Sequence, residues 1–166
     1  MEFSADDLEA ILSEILRVDE IWINELVTYQ NFYKTLDRIL ELKEEHGAKL
    51  KMLLHDFFAL CPAVNLVNAE GKYCGAASCE VCDKCIPDNR SNACTEYESG
   101  TLWRKNFRRF LRRCDEIVAF SDDSAQLFKK AYPDVYNLHV TPHTPHYLPP
   151  LNKQQKTTET FNIGLI

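Results

Sequence analysis

Short apolar runs alternate with amphipathic helical patterns along this chain, and no other feature of the sequence restricts its fold so strongly. Apolar residues at helical spacing predict four helices, which begin near Ser4, Gln30, Leu102 and Ser121. Short runs rich in β-branched and aromatic residues predict four strands, at 18–24, 50–54, 116–120 and 137–140. Such alternation produces a parallel sheet with helices on both faces and right-handed crossovers. The sequence therefore predicts an α/β, Rossmann-like fold class.

The composition is that of a folded globular domain and not of a disordered chain. Hydrophobic residues make up 45% and charged residues 27% of the 166 positions. The net charge of -6 excludes a whole-molecule attraction to nucleic acid, so we expect no nucleic-acid partner. We expect a cytoplasmic location, because no apolar run approaches the roughly 20 residues of a membrane span and the N-terminus lacks the pattern of a signal peptide.

Changes in periodicity divide the chain into segments. Residues 1–150 contain the predicted sheet and form one lobe, interrupted by a stretch without helical or strand periodicity that we interpret as a cysteine-rich insert at 61–95. Residues 151–160 are polar and typical of a linker. Residues 161–166 then form an apolar run that predicts the first strand of another unit.

Polar side chains follow three of the predicted strands directly. In parallel α/β sheets ligands bind beyond the carboxyl ends of the strands. Three pairs of residues occupy such positions: Asn24 with Glu25, His55 with Asp56, and Ser121 with Asp122. They are the first candidates for a functional site.

Seven cysteines are present, and five of them lie between Cys74 and Cys94. In a reducing compartment such a cluster is more often a metal site than a set of disulfides. Tetrahedral zinc takes four thiolates at about 2.3 Å, and two-residue gaps such as those in Cys79-x2-Cys82-x2-Cys85 suit it. Free thiols and disulfides are the alternatives, and an iron–sulfur cluster is disfavoured because the next cysteine follows too late.

One predicted helix combines basic and aromatic positions, with the cations Arg104, Lys105, Arg108, Arg109, Arg112 and Arg113. A solvated face of an amphipathic helix is the interpretation we favour. Peripheral contact with an anionic membrane is the second, and nucleic acid the third. The later histidines His139, His143 and His146 lie in or just before a proline-rich stretch, and we assign none of them to a metal.

Several ordered motifs resemble one branch of the family-four glycosyltransferases. They are His55-Asp56 at a strand end, Cys61-Pro62, Gly71-Lys72-Tyr73-Cys74, Cys82-Asp83-Lys84-Cys85, Trp103-Arg104-Lys105-Asn106-Phe107 and Pro142-His143. Each motif alone is weak, but their combined order and spacing extend over nearly the whole chain.

The resemblance implies two Rossmann-like lobes that face each other across a cleft. Residues 1–150 would be an incomplete acceptor-side lobe, and 161–166 the first strand of a truncated second lobe. It implies retaining hexosyl transfer, as in polysaccharide biosynthesis, from a nucleotide sugar to a glycan or lipid-linked acceptor. We expect such a fragment to be inactive alone.

The same resemblance assigns roles to individual residues. It places His55 near the transferred sugar and the donor phosphates, and Asp56 beside it to orient the histidine or touch the acceptor. Asn24 and Ser121 would be polar groups of the cleft. For structural zinc it favours Cys61, Cys74, Cys82 and Cys85, with Cys79 as an alternate ligand.

A second hypothesis uses the same fold without catalysis. The chain would then be a zinc-containing, Rossmann-like module that binds a protein or a glycan. A zinc protein that binds nucleic acid is a third hypothesis, which the negative net charge disfavours.

Overall fold

A computed structural model describes residues 17–27, 29, 31–94 and 99–143 of the chain. Its sheet contains the strands β1 (Glu20–Ile23), β2 (Lys49–Leu54), β3 (Glu116–Ala119) and β4 (Leu138–Val140). Adjacent strands pair in this order, and every pair is parallel. The predicted α/β, Rossmann-like fold class is confirmed. The predicted helix near Ser4, the linker 151–160 and the strand 161–166 lie outside the described residues.

Three longer helices follow the strands in the predicted order. They are α1 (Phe32–His46), α3 (Gly100–Leu111) and α4 (Asp122–Ala131), while a short helix α2 (Cys79–Cys85) and a 3₁₀ turn (Ile86–Asp88) lie between β2 and α3. Helix α1 ends at Gly47, whose φ of 64° is the left-handed conformation that glycine adopts without strain. Each longer helix therefore begins within a few residues of its predicted start.

Strand register separates the two faces of the sheet. Ile23, Met52 and Ile117 are aligned across β1, β2 and β3, and all three belong to the hydrophobic core. On the opposite face Lys51 pairs with Glu116 at 2.5 Å and lies over the exposed ring of Trp22. The buried residues of α1, α3 and α4 share the core face, as right-handed crossovers in a sequential parallel sheet require. The predicted placement of helices on both faces is therefore not seen among the described residues.

Aromatic rings fill the space between α1, α3 and the loop that follows β2. Phe32 stacks on Phe107 with ring centroids 5.7 Å apart, and Trp103 meets Phe58 edge to face at 4.9 Å. All four side chains are almost completely buried. Such packing is worth about 0.5–1.5 kcal/mol per aromatic pair beyond the area that it buries.

Buried side chains of α3 and of the end of α4 hold the loop after β2. Trp103 Nε1 donates to the carbonyl of Phe58 at 2.8 Å, and Arg104 Nε donates to that of Leu60 at 3.1 Å. Tyr132 donates its hydroxyl to the carbonyl between them, that of Ala59. Three consecutive carbonyls thus have buried donors, so the loop is fixed without belonging to a helix or a strand.

We expect Tyr132→Phe to lower the free energy of unfolding by about 1–3 kcal/mol, because it leaves the carbonyl of Ala59 unsatisfied inside the core. Tyr132 is 1% exposed, whereas Tyr136 is 87% exposed and makes a matched control. Tyr136→Phe should change stability by less than about 0.5 kcal/mol. Urea denaturation of both variants measures the effect, and equal stabilities would contradict the importance of this bond.

Candidate functional site

A group of side chains meets at the carboxyl edge of the sheet, and we call it the strand-end cluster: His55, Asp56, Phe120, Ser121 and His143. The ring of Phe120 stacks against His55 at 4.5 Å and against His143 at 4.1 Å. The two imidazoles are 6.0 Å apart, nearly parallel and exposed. The structure thus brings together the ends of β2, β3 and β4.

His143 reaches this position because pairing continues past the end of β4. The amide of Thr141 donates to the carbonyl of Ala119 at 2.9 Å, which keeps the chain beside β3 as it leaves the sheet. From the sequence, His143 is predicted only as part of the Pro142-His143 motif and not as a neighbour of His55. Ligands bind beyond the carboxyl ends of parallel strands, and applying this rule to the fourth strand predicts that His143 lies at the same edge of the sheet as His55.

Asp56 accepts a hydrogen bond that stabilises a turn, and its pKa is raised. Its Oδ1 accepts from the amide of Phe58 at 2.8 Å, which closes the turn after the strand. Burial raises the pKa of Asp56, and the charge of Glu25 adds to the rise, while the bond from Phe58 and the nearby His55 oppose it. A half-buried carboxyl with a raised pKa beside a histidine is typical of functional sites.

The end of β1 contributes a carboxylate close enough to act on Asp56. Glu25 follows β1 and accepts from the amide of Val27 at 2.9 Å. Asn24, the predicted cleft residue at this strand end, is exposed and directly follows β1. The charge of Glu25 acts on Asp56, so the ends of β1 and β2 share one electrostatic environment.

Ser121, the other predicted cleft residue, caps a helix. Its Oγ accepts from the amide of Ser124 at 3.2 Å at the start of α4, as preferred for an N-cap serine. The side chain is exposed at the end of β3. Its contribution to substrate binding stays a prediction, whereas its contribution to α4 is visible.

The four cysteines predicted as metal ligands line one cavity of about 370 Å³, which we call the thiol cavity. Cys61 ends the loop after β2, and Cys82 and Cys85 lie one turn apart on α2. Cys74 follows a turn in which Gly71 has a φ of 77°. Helix α3 begins against α2, since a Cβ at Gly100 would come within 2.5 Å of the Cβ of Cys82.

Several N–H groups point at these sulfurs. The amide of Ala69 donates to Cys85 Sγ at 3.4 Å, and Asn89 Nδ2 donates to the same sulfur at 3.9 Å. Arg104 Nη2 donates to Cys82 Sγ at 3.5 Å. Donors of this kind stabilise thiolates more than thiols, and outer-shell bonds of this kind orient metal ligands.

Burial and repulsion between thiolates raise the pKa values of Cys61 and Cys82. Burial is the main cause that raises the pKa of Cys61 to about 11, and the charges of Cys82, Cys74 and Cys85 add to it. Four thiolates are the donor set of structural zinc, and a divalent cation removes this repulsion. The four sulfurs line one cavity. Within the described ranges, however, no three His, Cys, Asp or Glu residues are arranged to hold a metal ion.

The other cysteines lie apart from this set. Cys79, the alternate ligand, is not among the residues that line the thiol cavity, although its charge acts on Cys82. Cys94 is half-buried against the core. Cys114 is buried at the end of α3, where its Sγ donates to the carbonyl of Phe110 at 3.6 Å.

Carboxylates pair with most of the basic positions of α3 and the residues after it. Arg109 pairs with Asp37, and Arg113 pairs with Glu44. Arg108 and Arg112 both approach Asp134, at 3.6 and 3.8 Å. These pairs favour the solvated face over a surface for a membrane or nucleic acid. Among the residues that the structure describes, no helix is long and apolar enough to cross a membrane.

Comparison of this chain with protein-family models, with curated proteins and with solved structures finds no match. The strand-end cluster, the thiol cavity and the sequence motifs are therefore the features that indicate a function.

We expect Asp56→Asn to raise the melting temperature at neutral pH. The amide oxygen keeps the bond from Phe58 and removes a charge that burial disfavours. Because the folded pKa lies above the ordinary 3.8, the folded chain binds more protons between the two values, and the unmodified chain loses stability as the pH rises through that window.

Thermal melting of both proteins at a series of pH values tests this. The advantage of the variant should shrink as the pH falls through the window and vanish where the carboxyl is protonated in both states. A difference in melting temperature that is independent of pH would contradict the account.

Proposed function

We propose that this chain is the acceptor-side lobe of a two-lobed, retaining glycosyltransferase, which moves a hexose from a nucleotide sugar to a glycan or lipid-linked acceptor. The observation that carries the proposal is the strand-end cluster, in which His55, Asp56 and His143 meet at the carboxyl edge of a parallel sheet. Ligands of such sheets bind at this edge. The ordered motifs around His55 and Cys61 support the same assignment.

The proposed chemistry uses the charges that glycosyl transfer develops. Positive charge grows on the sugar and negative charge on the departing diphosphate, so groups fixed at that boundary stabilise the transition state. In the proposal His55 faces the diphosphate, and His143 adds a second imidazole 6.0 Å away. Phe120 stacks against both rings, which are nearly parallel to each other. Asp56 and Glu25 line the acceptor side.

In the proposal the thiol cavity is structural. Cys61, Cys74, Cys82 and Cys85 would hold zinc as four thiolates, and the ion would cross-link the segment between β2 and α3. Phe58, Leu60, Leu66 and Ile86 of this segment are buried in the core, and in the proposal a metal adds a cross-link to that packing. Cys61 then connects the cross-link to the loop that carries His55.

The alternative is a non-catalytic, zinc-containing binding module, and one observation favours it. Tyr73 and Val81 are 63% and 55% exposed on the segment that forms the thiol cavity. Exposed aromatic and aliphatic side chains on one segment are typical of surfaces that bind a protein or a glycan. This alternative predicts that the unmodified protein turns over no nucleotide sugar.

We expect His55→Ala, made in a two-lobed protein that contains this chain, to lower kcat by about 10²–10³-fold, the usual effect of removing one stabilising group at a developing charge. His143→Ala should also lower kcat, by a smaller factor. The measurement is release of nucleoside diphosphate from a panel of nucleotide sugars in the presence of glycan and lipid-linked acceptors.

His139→Ala is the matched control for these two variants. His139 is also an exposed histidine, and it belongs to β4. Its side chain lies on the face of the sheet opposite the core, where it contacts Glu116 at 3.1 Å. Its kcat should remain that of the unmodified enzyme. Full turnover by His55→Ala would overturn the proposed site, and no turnover by the unmodified protein would favour the binding module.

We expect protein purified without added metal to hold about one zinc ion per chain, measured by mass spectrometry of the metal. Cys82→Ser should lose the zinc, because Cys82 lines the thiol cavity. Cys79→Ser and Cys114→Ala should retain it, because neither residue lines that cavity. Zinc that is lost in Cys79→Ser and kept in Cys82→Ser would contradict the assigned ligand set.

A further inference from the structure

Arg104 is a buried cation whose surroundings need an explanation. Its side chain is 6% exposed and lies on the buried face of α3. Its guanidinium donates to the carbonyl of Leu60 at 3.1 Å, to that of Ala77 at 2.8 Å and to Cys82 Sγ at 3.5 Å. These bonds satisfy the guanidinium, but two of its three acceptors are backbone carbonyls, which cannot carry a negative charge.

A buried guanidinium is costly unless an anion lies nearby. In the part of the chain that the structure describes, no carboxylate forms an ion pair with Arg104. Asp83 lies within electrostatic range, yet its carboxylate accepts from the amide and the hydroxyl of Thr101 at 2.8 and 2.7 Å. Among the three acceptors of Arg104, Cys82 alone is a group that can carry a negative charge.

The thiol cavity would supply the missing charge once it binds a metal. Four thiolates around a divalent cation leave a net charge of about -2. Such a charge in a largely buried site needs a compensating cation, just as the buried guanidinium needs an anion. The contact between Arg104 and Cys82 places the two within hydrogen-bond distance, so each offsets the cost of the other.

The guanidinium also connects the segments that carry two of the ligands. Leu60 directly precedes Cys61, and Ala77 lies before the start of α2, which carries Cys82. A rigid planar fork that contacts both segments sets their separation before any metal arrives. A lysine supplies the charge but not the fork, so arginine and lysine are not equivalent here.

We propose that Arg104 is a positioning residue of the thiol site, which holds Cys82 in place, offsets the negative charge of the metal-bound thiolates and thereby sets the affinity for zinc. This inference depends on the proposed zinc site and does not depend on glycosyl transfer. It adds to that proposal a cationic outer-shell residue on α3.

The test compares zinc affinities of Arg104→Gln, Arg104→Lys and the unmodified chain, by competition with a chromophoric chelator at one pH. We expect Arg104→Gln to bind zinc about 10–100-fold more weakly, the usual effect of losing an outer-shell partner. Arg104→Lys should fall between the two, since it keeps the charge and loses the fork. Cobalt binding, followed by thiolate-to-metal absorption, reports whether four sulfurs still coordinate.

Arg109→Gln is the matched control, because Arg109 lies on the same helix as Arg104, is exposed, pairs with Asp37 and does not line the thiol cavity. It should keep the zinc affinity of the unmodified chain. Equal affinities of Arg104→Lys and Arg104→Gln would overturn the role of the charge, since neither has the fork. Should Arg104→Gln fail to fold, an Arg104→Lys affinity equal to that of the unmodified chain would overturn the proposal.

The outcomes separate this inference from the proposals on which it builds. An unmodified chain that holds no zinc overturns both the zinc site and the role of Arg104. Zinc in the unmodified chain with unchanged affinity in Arg104→Gln overturns the role of Arg104 alone. Loss of glycosyl transfer in His55→Ala is independent of both results.

Discussion

Three consecutive carbonyls after β2, those of Phe58, Ala59 and Leu60, each accept a hydrogen bond from a buried side chain, and both candidate sites depend on this constraint. A carbonyl buried without a donor costs about 1–3 kcal/mol, so these bonds are expensive to break and select one path for the loop. That loop begins at His55 and ends at Cys61. The strand-end cluster and the thiol cavity are therefore the two ends of one fixed segment.

Helix α3 is the element that connects them. Its neighbouring residues Trp103 and Arg104 donate to Phe58 and Leu60, and Arg104 continues to Cys82. The aromatic packing of Trp103 against Phe58 and Phe32 holds the helix in register with the loop. A functional residue on such a support keeps its geometry although its own side chain is exposed, which is what catalytic positioning requires.

Much of this arrangement could be predicted from the sequence, and the reasons for the rest are physical. The alternation of apolar periods predicts the parallel sheet and places His55 and Ser121 at strand ends, and thiol spacing with family resemblance assembles the four cysteines of the cavity. Helix α2 was not predicted, because its seven residues are too short to show an apolar period. The buried donors to the loop are far from it in sequence, so no local pattern reveals them.

Native-state hydrogen exchange tests the fixed loop most directly. The amides of Leu60 and Cys61 both donate to the carbonyl of Phe57, at 2.8 and 3.0 Å. If the buried donors fix the loop, these amides exchange only through global unfolding, with the same opening free energy as the amide of Phe107 inside α3. Exchange of Leu60 and Cys61 through local opening, at free energies near those of the exposed turn at Gly71, would contradict the account.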